Sequence, residues 1–223
     1  MRKLDKEIIN LKKLLLEMAT SVEEMIAKSI KALKERNMIL AEEVIKSDRK
    51  INDMEIVIDN LGIKILALYH PEAEDLRTVI MVMRINNDLE RIGDHAVNIA
   101  EKAIYLADKP PVKPLIDIPR MAERAMMMLR ESLNSFVNKN SELAVEVCKK
   151  DDEVDSLEHQ IMRELITYMI SDPTTIERAL HLILISRDLE RVADLATNIA
   201  ECTFYIAQGK VLKHHAMEKG PFK

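Results

Sequence analysis

Acidic pairs spaced four residues apart are the side chains in this sequence best suited to chemistry, and they recur. Glu90 with Asp94 lies in the sequence DLERIGDHAVNIAE, and Glu190 with Asp194 lies in the sequence DLERVADLATNIAE. Residues four apart stack on one face of an α-helix, so each pair presents two carboxylates to the same volume. Ten of the fourteen positions are identical between these two sequences, which lie 100 residues apart. The chain is therefore a tandem duplication.

A second set of acid or amide residues precedes each of these pairs by one predicted helix. Aligning INDME of the first half with VDSLE of the second places Asp48 opposite Asp151 and Asn52 opposite Asp155. Two such pairs on neighbouring antiparallel helices can present four side-chain oxygens to one volume. Like charges held this close repel unless a cation neutralises them, and oxygen-only sites suit Mg²⁺, Mn²⁺ or Fe. The pattern predicts a metal site in each half.

An ordinary solvated helix face is the alternative explanation for these acids. Glu and Asp four residues apart are common on helices, and Arg91 or Arg191 could close surface ion pairs worth under about 1 kcal/mol each. A plain surface tolerates any mixture of polar residues. The same polar residues in two diverged halves therefore favour a shared ligand or partner.

Apolar residues at alternating spacings of three and four place these acids on long helices. The pattern predicts helices over residues 4–35, 38–69, 73–107, 118–137, 141–170 and 174–208. The domain assignment is a first bundle (1–109), a Pro-rich linker (110–120), a second bundle (121–209) and a flexible tail (210–223). The chain has 48% hydrophobic residues, 3% aromatic residues and four glycines. We therefore predict an all-α fold of two tandem three-helix bundles related by internal pseudo-symmetry.

Composition excludes several classes of protein. The formal net charge is −5, and no basic patch is interleaved with aromatic residues, so a nucleic-acid partner is not expected. The N-terminal sequence MRKLDKEIINLKKLLLEM lacks a continuous apolar segment, which predicts a cytoplasmic protein without a secretory signal or a membrane span. Cys148 and Cys202 have no Cys or His partner at zinc spacing and are predicted to be buried free thiols. His95 is replaced by Leu195 in the second half, which disfavours a ligand role for this histidine.

The motifs predict a protein that is not an enzyme. A ferritin-like di-iron centre requires Glu-x-x-His, but the residues three positions after Glu90 and Glu190 are Gly93 and Ala193. The sequence contains no P-loop, no nucleophile elbow and no cysteine with a partnered histidine base. A metal-dependent phosphohydrolase built on the same oxygen ligands stays open as an alternative, because two bridged metal ions can activate water.

The doubled motif, together with the sequence HPEAEDLR that begins at His70, resembles the PhoU family of phosphate-signalling regulators. The resemblance covers about residues 5–208. It implies a pair of three-helix bundles in a cytoplasmic, often homodimeric protein that carries metal clusters on E(D)xxxD pairs. It also implies negative regulation of the phosphate-starvation response, through contact with the ATPase of the phosphate ABC transporter and with a sensor histidine kinase.

The resemblance also implies which residues bind metal ions (Fe, Mn, Mg or Zn). Carried over position by position, the pairs are Glu90 with Asp94, Glu190 with Asp194, Asp151 with Asp155, and Asp48 with Asn52. The amide at Asn52 departs from the pattern and brings no charge, so the first half is expected to bind fewer ions. The leading hypothesis is a non-enzymatic, metal-binding adaptor. The alternatives are an accessory regulator of a different phosphate permease, a phosphohydrolase and a plain helical scaffold.

Overall fold

Six long helices make up the computed structural model, which describes residues 2–212. They are α1 (Lys3–Glu35), α2 (Met38–Tyr69), α3 (Ala73–Ala107), α4 (Asp117–Asn138), α5 (Ser141–Ser171) and α6 (Ile176–Gln208). A single 3₁₀ turn, Pro173–Thr175, precedes α6. Most of the predicted tail, from residue 213 onward, lies outside the described residues. The all-α class and the duplicated three-helix arrangement are confirmed.

The turns after α1 and α4 are built from the same chemistry in both halves. Arg36 and Lys139 each adopt the left-handed conformation, with φ of 55° and 50°, and end their helices. Asn37 and Asn140 follow them, and each side-chain oxygen accepts a hydrogen bond of 3.0 Å from the backbone N–H three residues ahead. An amide oxygen at this position satisfies an N–H that the first helical turn leaves without a partner. A basic residue followed by an asparagine therefore makes the same corner twice.

Each bundle buries the predicted apolar seams. In the first bundle, α1 contributes fully buried residues such as Leu11 and Leu15, and α2 contributes Ile51, Ile58 and Ile65 at intervals of seven. The third helix of each bundle has the longest buried face, because it packs against both helices of its own bundle and against the other bundle. Among residues 2–212, no helix combines the length and the apolarity needed to cross a bilayer.

The two bundles meet along α3 and α6, which run antiparallel. Near one end the rings of Tyr105 and His181 stack with their centroids 3.7 Å apart and their planes inclined by 18°. At the opposite end Gly209, the left-handed cap of α6, lies beside Arg77 near the start of α3. The C-terminal end of each helix thus lies beside the N-terminal end of the other, as a pseudo-twofold axis between the halves requires.

Charged groups cross this interface asymmetrically. The Asp188 carboxylate lies 3.0 Å from the Nδ1 atom of His95 and 3.0 Å from the Nζ atom of Lys102, both on α3. His95 is partly buried, and its contact with Asp188 had not been predicted because His95 has no counterpart in the second half. At the corresponding positions of α6, a hundred residues later, the duplication has Leu195 and Cys202.

Asp88 is the counterpart of Asp188 and forms no ion pair among residues 2–212. Its side chain is buried, and its Oδ2 atom has no hydrogen-bond partner among residues 2–212. Burial raises the pKa of Asp88 to about 6, against the opposing influence of Arg84 and Arg91. Burial also raises the pKa of the Cys202 thiol to about 12, with a smaller contribution from nearby Asp88. Among the described residues, Asp188 is therefore held by two partners on α3, whereas Asp88 has only the longer-range influence of Arg84 and Arg91.

Candidate functional site

The predicted acids of the first half converge between α2 and α3. We call this site the first acidic groove; it contains Asp48, Asn52 and Glu55 on α2 and Glu90 and Asp94 on α3. The Nδ2 atom of Asn52 donates to an oxygen of Asp48 at 3.0 Å, so the amide is part of the site. The Oδ1 atoms of Asp48 and Asn52 are both buried and have no hydrogen-bond partner among the described residues. Two oxygen acceptors are therefore left for a ligand.

Carboxylates repel one another in this groove. Burial raises the pKa of Glu90 above its ordinary range, and the nearby carboxylates of Asp94, Glu55 and Asp48 raise it further. Burial likewise raises the pKa of Asp94, with Asp48 adding to the effect. A cation placed among these oxygens would reverse both causes, because it neutralises the repulsion and replaces lost hydration.

Asn86 supports the first acidic groove from α3, and sequence analysis did not identify it. Its Nδ2 atom donates to the backbone oxygen of Glu55 and to Oδ1 of Asp59, both at 3.0 Å. These bonds fix the turn of α2 that carries Glu55. The second half has Ser186 at this position, so the duplication gave no indication of the contact.

The equivalent site of the second half lies between α5 and α6, and we call it the second acidic groove. It contains Asp155 and Glu158 on α5 and Glu190 and Asp194 on α6. Burial raises the pKa of Glu190, followed in effect by the carboxylate of Asp194 and, more weakly, by those of Asp155 and Glu158. Asp151 is buried one turn earlier on α5. A cavity of about 510 Å³, counted to its open mouth, lies over this groove.

The second acidic groove already contains a cation. Arg191 places one guanidinium nitrogen 2.9 Å from Oδ2 of Asp194 and another 3.4 Å from a carboxylate oxygen of Glu190. Arg91 is its counterpart and forms no ion pair within residues 2–212. The surface ion pairs considered as an alternative explanation are therefore present in one groove and not in the other.

Both cysteines are free, and neither is a thiolate at neutral pH. Cys202 is buried, and Cys148 is partly buried beside the second acidic groove. Burial raises the pKa of Cys148 to about 12, and the carboxylates of Glu201 and Asp151 contribute to the rise. Metal ions bind cysteine as the thiolate, so oxygen atoms are the better donors in this region.

The donors of both grooves fit hard or intermediate cations. Carboxylate and amide oxygens suit Mg²⁺, Mn²⁺ and Fe ions, and Zn²⁺ also accepts carboxylates. Within residues 2–212, no three His, Cys, Asp or Glu side chains already converge closely enough to enclose an ion. Ligation would therefore require rotation of partly exposed carboxylates, which takes place in picoseconds to nanoseconds on a protein surface.

Comparison with known proteins accounts for the duplication of the chain. The profile of the PhoU domain matches the chain twice, over residues 15–103 and 118–203, once in each half. The chain belongs to the PhoU domain family. The resemblance seen in the duplicated sequence is thereby confirmed. Both matched segments include one complete acidic groove.

Relatives and solved structures extend over nearly the whole chain. A phosphate-specific transport system accessory protein PhoU homolog of Aquifex aeolicus is 47% identical over 219 residues, which are 98% of this chain and 99% of that protein. The crystal structure of PhoU from Pseudomonas aeruginosa superposes with a TM-score of 0.90 at 35% identity, covering 93% of this chain and 100% of the other. The phosphate transport system regulatory protein PhoU of Streptococcus pneumoniae has a TM-score of 0.88 at 28% identity, covering 95% and 100%.

Proposed function

We propose that this member of the PhoU family is a non-enzymatic accessory regulator of phosphate uptake and of the phosphate-starvation response. Relatives that match nearly its full length are named accessory or regulatory proteins of phosphate transport. The observation that carries the proposal is structural. Corresponding carboxylates lie between the second and third helices of both halves, with Asn52 in the first half where the second has Asp155.

Metal binding in the two acidic grooves is the first part of this proposal. In the first half Asp48, Asn52, Glu90 and Asp94 would hold the ion, and the orphaned Oδ1 atoms of Asp48 and Asn52 support this assignment. In the second half the corresponding ligands would be Asp151, Asp155, Glu190 and Asp194. A bound Fe, Mn, Mg or Zn ion would supply positive charge to an otherwise acidic helix face.

Adaptor function is the second part. We propose that the chain, as a cytoplasmic homodimer, contacts the ATPase of a phosphate ABC transporter and a sensor histidine kinase. The acidic grooves form docking surfaces whose charge depends on the bound ion, because each ion cancels two or three carboxylate charges. Association with the transporter would thus depend on metal occupancy.

The metal sites can be tested by elemental analysis of purified protein. Wild type should retain Mn or Fe after exposure to either metal and gel filtration, and Asp194→Ala should lose the ion of the second groove. Asp48→Ala should lose that of the first groove. Glu17→Ala is the matched control, since Glu17 lies on α1 in an exposed pair with Lys13, outside both grooves. Full metal content in both groove variants would refute the assignment.

Affinity purification tests the adaptor role. Recovery of the transporter ATPase and of a histidine kinase with the tagged chain supports the proposal. Recovery of an unrelated phosphate permease alone would overturn it and identify that permease as the partner instead. Turnover of simple phosphate esters by the metal-loaded protein would overturn its non-enzymatic part. If turnover occurs, Asp194→Ala shows whether the second acidic groove carries it.

A further inference from the structure

A second pocket lies far from both acidic grooves, where the Pro-rich linker crosses the boundary between the halves. We call it the linker pocket; it is formed by the C-terminal ends of α1 and α3, the linker and the first turns of α6. Its empty space is about 360 Å³ when counted to the open mouth. Its lining includes four cationic residues and no acid: Arg36, Lys109, Lys113 and Arg178.

Three of these four cations have no acid as an ion-pair partner within residues 2–212. Lys113 is neutralised by Asp117, at 2.8 Å, and by Glu164. Arg178 donates to backbone oxygens at 2.7 and 3.1 Å, which carry no charge, and keeps further N–H groups available. Lys109 lies over an aromatic ring, 3.5 Å from its centroid. Arg36 contributes to the lining from its left-handed corner after α1.

Two acids lie close by but outside the lining of the pocket. Glu177 accepts a hydrogen bond from the hydroxyl of Tyr105, and this bond is the main reason why the pKa of Tyr105 is raised to about 12. Asp108 ends α3 and also acts on Tyr105. Together with Asp117 and Glu164 these acids equal the four cations in number, but all four acids lie outside the lining of the pocket.

The pseudo-twofold axis relates the linker pocket to the opposite end of the α3–α6 interface, and that end contains an ion pair that the linker pocket lacks. There Lys139 forms an ion pair with Glu74, which joins the end of α4 to the start of α3. Arg36 is the counterpart of Lys139 in the duplicated corner. The counterpart of Glu74, a hundred residues later, is Thr174. At one end the carboxylate of Glu74 pairs with Lys139, and at the other end the corresponding residue, Thr174, has only a hydroxyl group.

The correspondence between Glu74 and Thr174 rests on backbone geometry as well as on the duplication. Glu72 and Asp172 are both extended residues at which a helical segment begins. The backbone oxygen of each accepts a hydrogen bond of 3.0 Å from the N–H three residues ahead. Positions 74 and 174 therefore both lie two residues after such a helix start, although Ala73 has a left-handed φ of 46° and Pro173 does not.

We propose that the linker pocket binds a small oxyanion, either inorganic phosphate or the phosphate group of a small molecule, in place of the missing carboxylate. Guanidinium groups bind phosphate oxygens through paired, charge-assisted hydrogen bonds, and Arg36 and Arg178 can provide them. Apolar walls such as Leu33 and Leu182 strengthen these interactions by excluding water. The anion would join Arg36 of the first half to Arg178 of the second, as Glu74 and Lys139 are joined at the other end.

The test uses full-length protein stripped of metal and kept in chelator, so that phosphate cannot bind through ions in the acidic grooves. Its result is thus independent of the metal proposal. Melting temperature and calorimetric affinity are measured with inorganic phosphate and with AMP, against chloride at matched ionic strength. Wild type should bind at least one of the two ligands and melt at a higher temperature with it. Arg36→Gln should weaken binding by roughly tenfold, the loss typical of a removed charged hydrogen bond.

Thr174→Glu restores the carboxylate that the other end contains and gives the sharpest test. This variant should melt at a higher temperature than wild type without ligand and should no longer respond to phosphate or AMP. Lys139→Gln is the matched control and should keep the ligand response, because it changes the opposite end. Binding of AMP alone, lost in Thr174→Glu, would assign the pocket to organic phosphates. No binding by wild type, or a response unchanged in both Arg36→Gln and Thr174→Glu, would overturn the proposal.

Discussion

Asp88 and Asp188 occupy the same position in the two copies, and their different neighbours predict opposite effects of the same substitution. In metal-free protein at about pH 7, Asp88→Asn should raise the free energy of unfolding by about 2 kcal/mol, since it removes a buried carboxylate whose Oδ2 atom has no partner among the described residues. Asp188→Asn should lower it, since Lys102 would lose its carboxylate at 3.0 Å.

The effect of Asp88 should depend on pH in a defined direction. Its pKa rises from the ordinary value of 3.8 to about 6 in the folded protein, so the folded state holds this proton more tightly than the unfolded state. Stability from this group is therefore complete below about pH 4 and is lost as the pH rises through about 6. Urea unfolding at about pH 4 and at about pH 7 should show that Asp88→Asn is more stable than wild type only at the higher pH. An equal gain at both would contradict the assignment.

Arg191 is expected to compete with metal ions in the second acidic groove, because it lies on the oxygens of Asp194 and Glu190. Arg191→Gln should therefore bind Mn²⁺ a few-fold more tightly than wild type, as removal of an ion pair worth up to about 1 kcal/mol allows. Calorimetric titration of chelator-stripped protein measures this change. Arg91→Gln is the matched control and should change the affinity less. Equal effects of the two substitutions would show that Arg191 acts through general charge alone.

At the scale of the helices, sequence patterns predicted ends to within about two residues, because each break has a local chemical cause. Asn37 and Asn140 cap the helices that follow them, and Gly209 adopts the left-handed conformation that ends α6. Contacts between helices were less predictable. Periodicity shows which face of a helix is polar but not which neighbouring helix that face contacts. The hydrogen bond from Asn86 to the backbone of Glu55 could therefore not be predicted from the sequence.

The packing of α2 against α3 contains a compensated pair of core residues. A methyl group on Gly93 would lie 3.4 Å from Cγ2 of Ile51, at the short limit of van der Waals contact, and the corresponding residues of the second half are Ala193 and the smaller Val154. Gly93→Ala alone should be nearly neutral, since a helix propensity gain of about 1 kcal/mol is offset by crowding. Ile51→Val alone should cost about 1 kcal/mol.

Together the two substitutions should reproduce the packing of the second half. The double variant is expected to be at least as stable as wild type, with a favourable coupling of roughly 0.5–1 kcal/mol between the two sites. Urea denaturation of wild type, the two single variants and the double variant measures the four free energies of unfolding that this double-mutant cycle requires. Strictly additive effects would mean that Gly93 has room for a methyl group regardless of Ile51.

For the molecule as a whole, the duplication predicted two bundles but not how they pack together. Asp188 is identical to its counterpart Asp88, but its partners across the interface differ between the copies, as His95 differs from Leu195 and Lys102 from Cys202. A twofold axis brings position 102 to position 188 and position 202 to position 88, so a lysine at position 202 could have formed the same ion pair with Asp88. The differences at positions 195 and 202 are therefore the feature of the sequence that could have indicated the asymmetry of this interface.

Because α3 and α6 belong to both a bundle and the interface, the two halves are expected to unfold together. Lys102→Ala leaves Asp188 buried with His95 as its remaining close partner, and should cost about 2 kcal/mol or more. Hydrogen exchange should then increase in α1 and α5 alike, with one thermal transition. Lys64→Ala, on the exposed face of α2, is the control and should leave exchange unchanged. Two separate transitions, or faster exchange in the second half alone, would show that the interface does not couple the bundles.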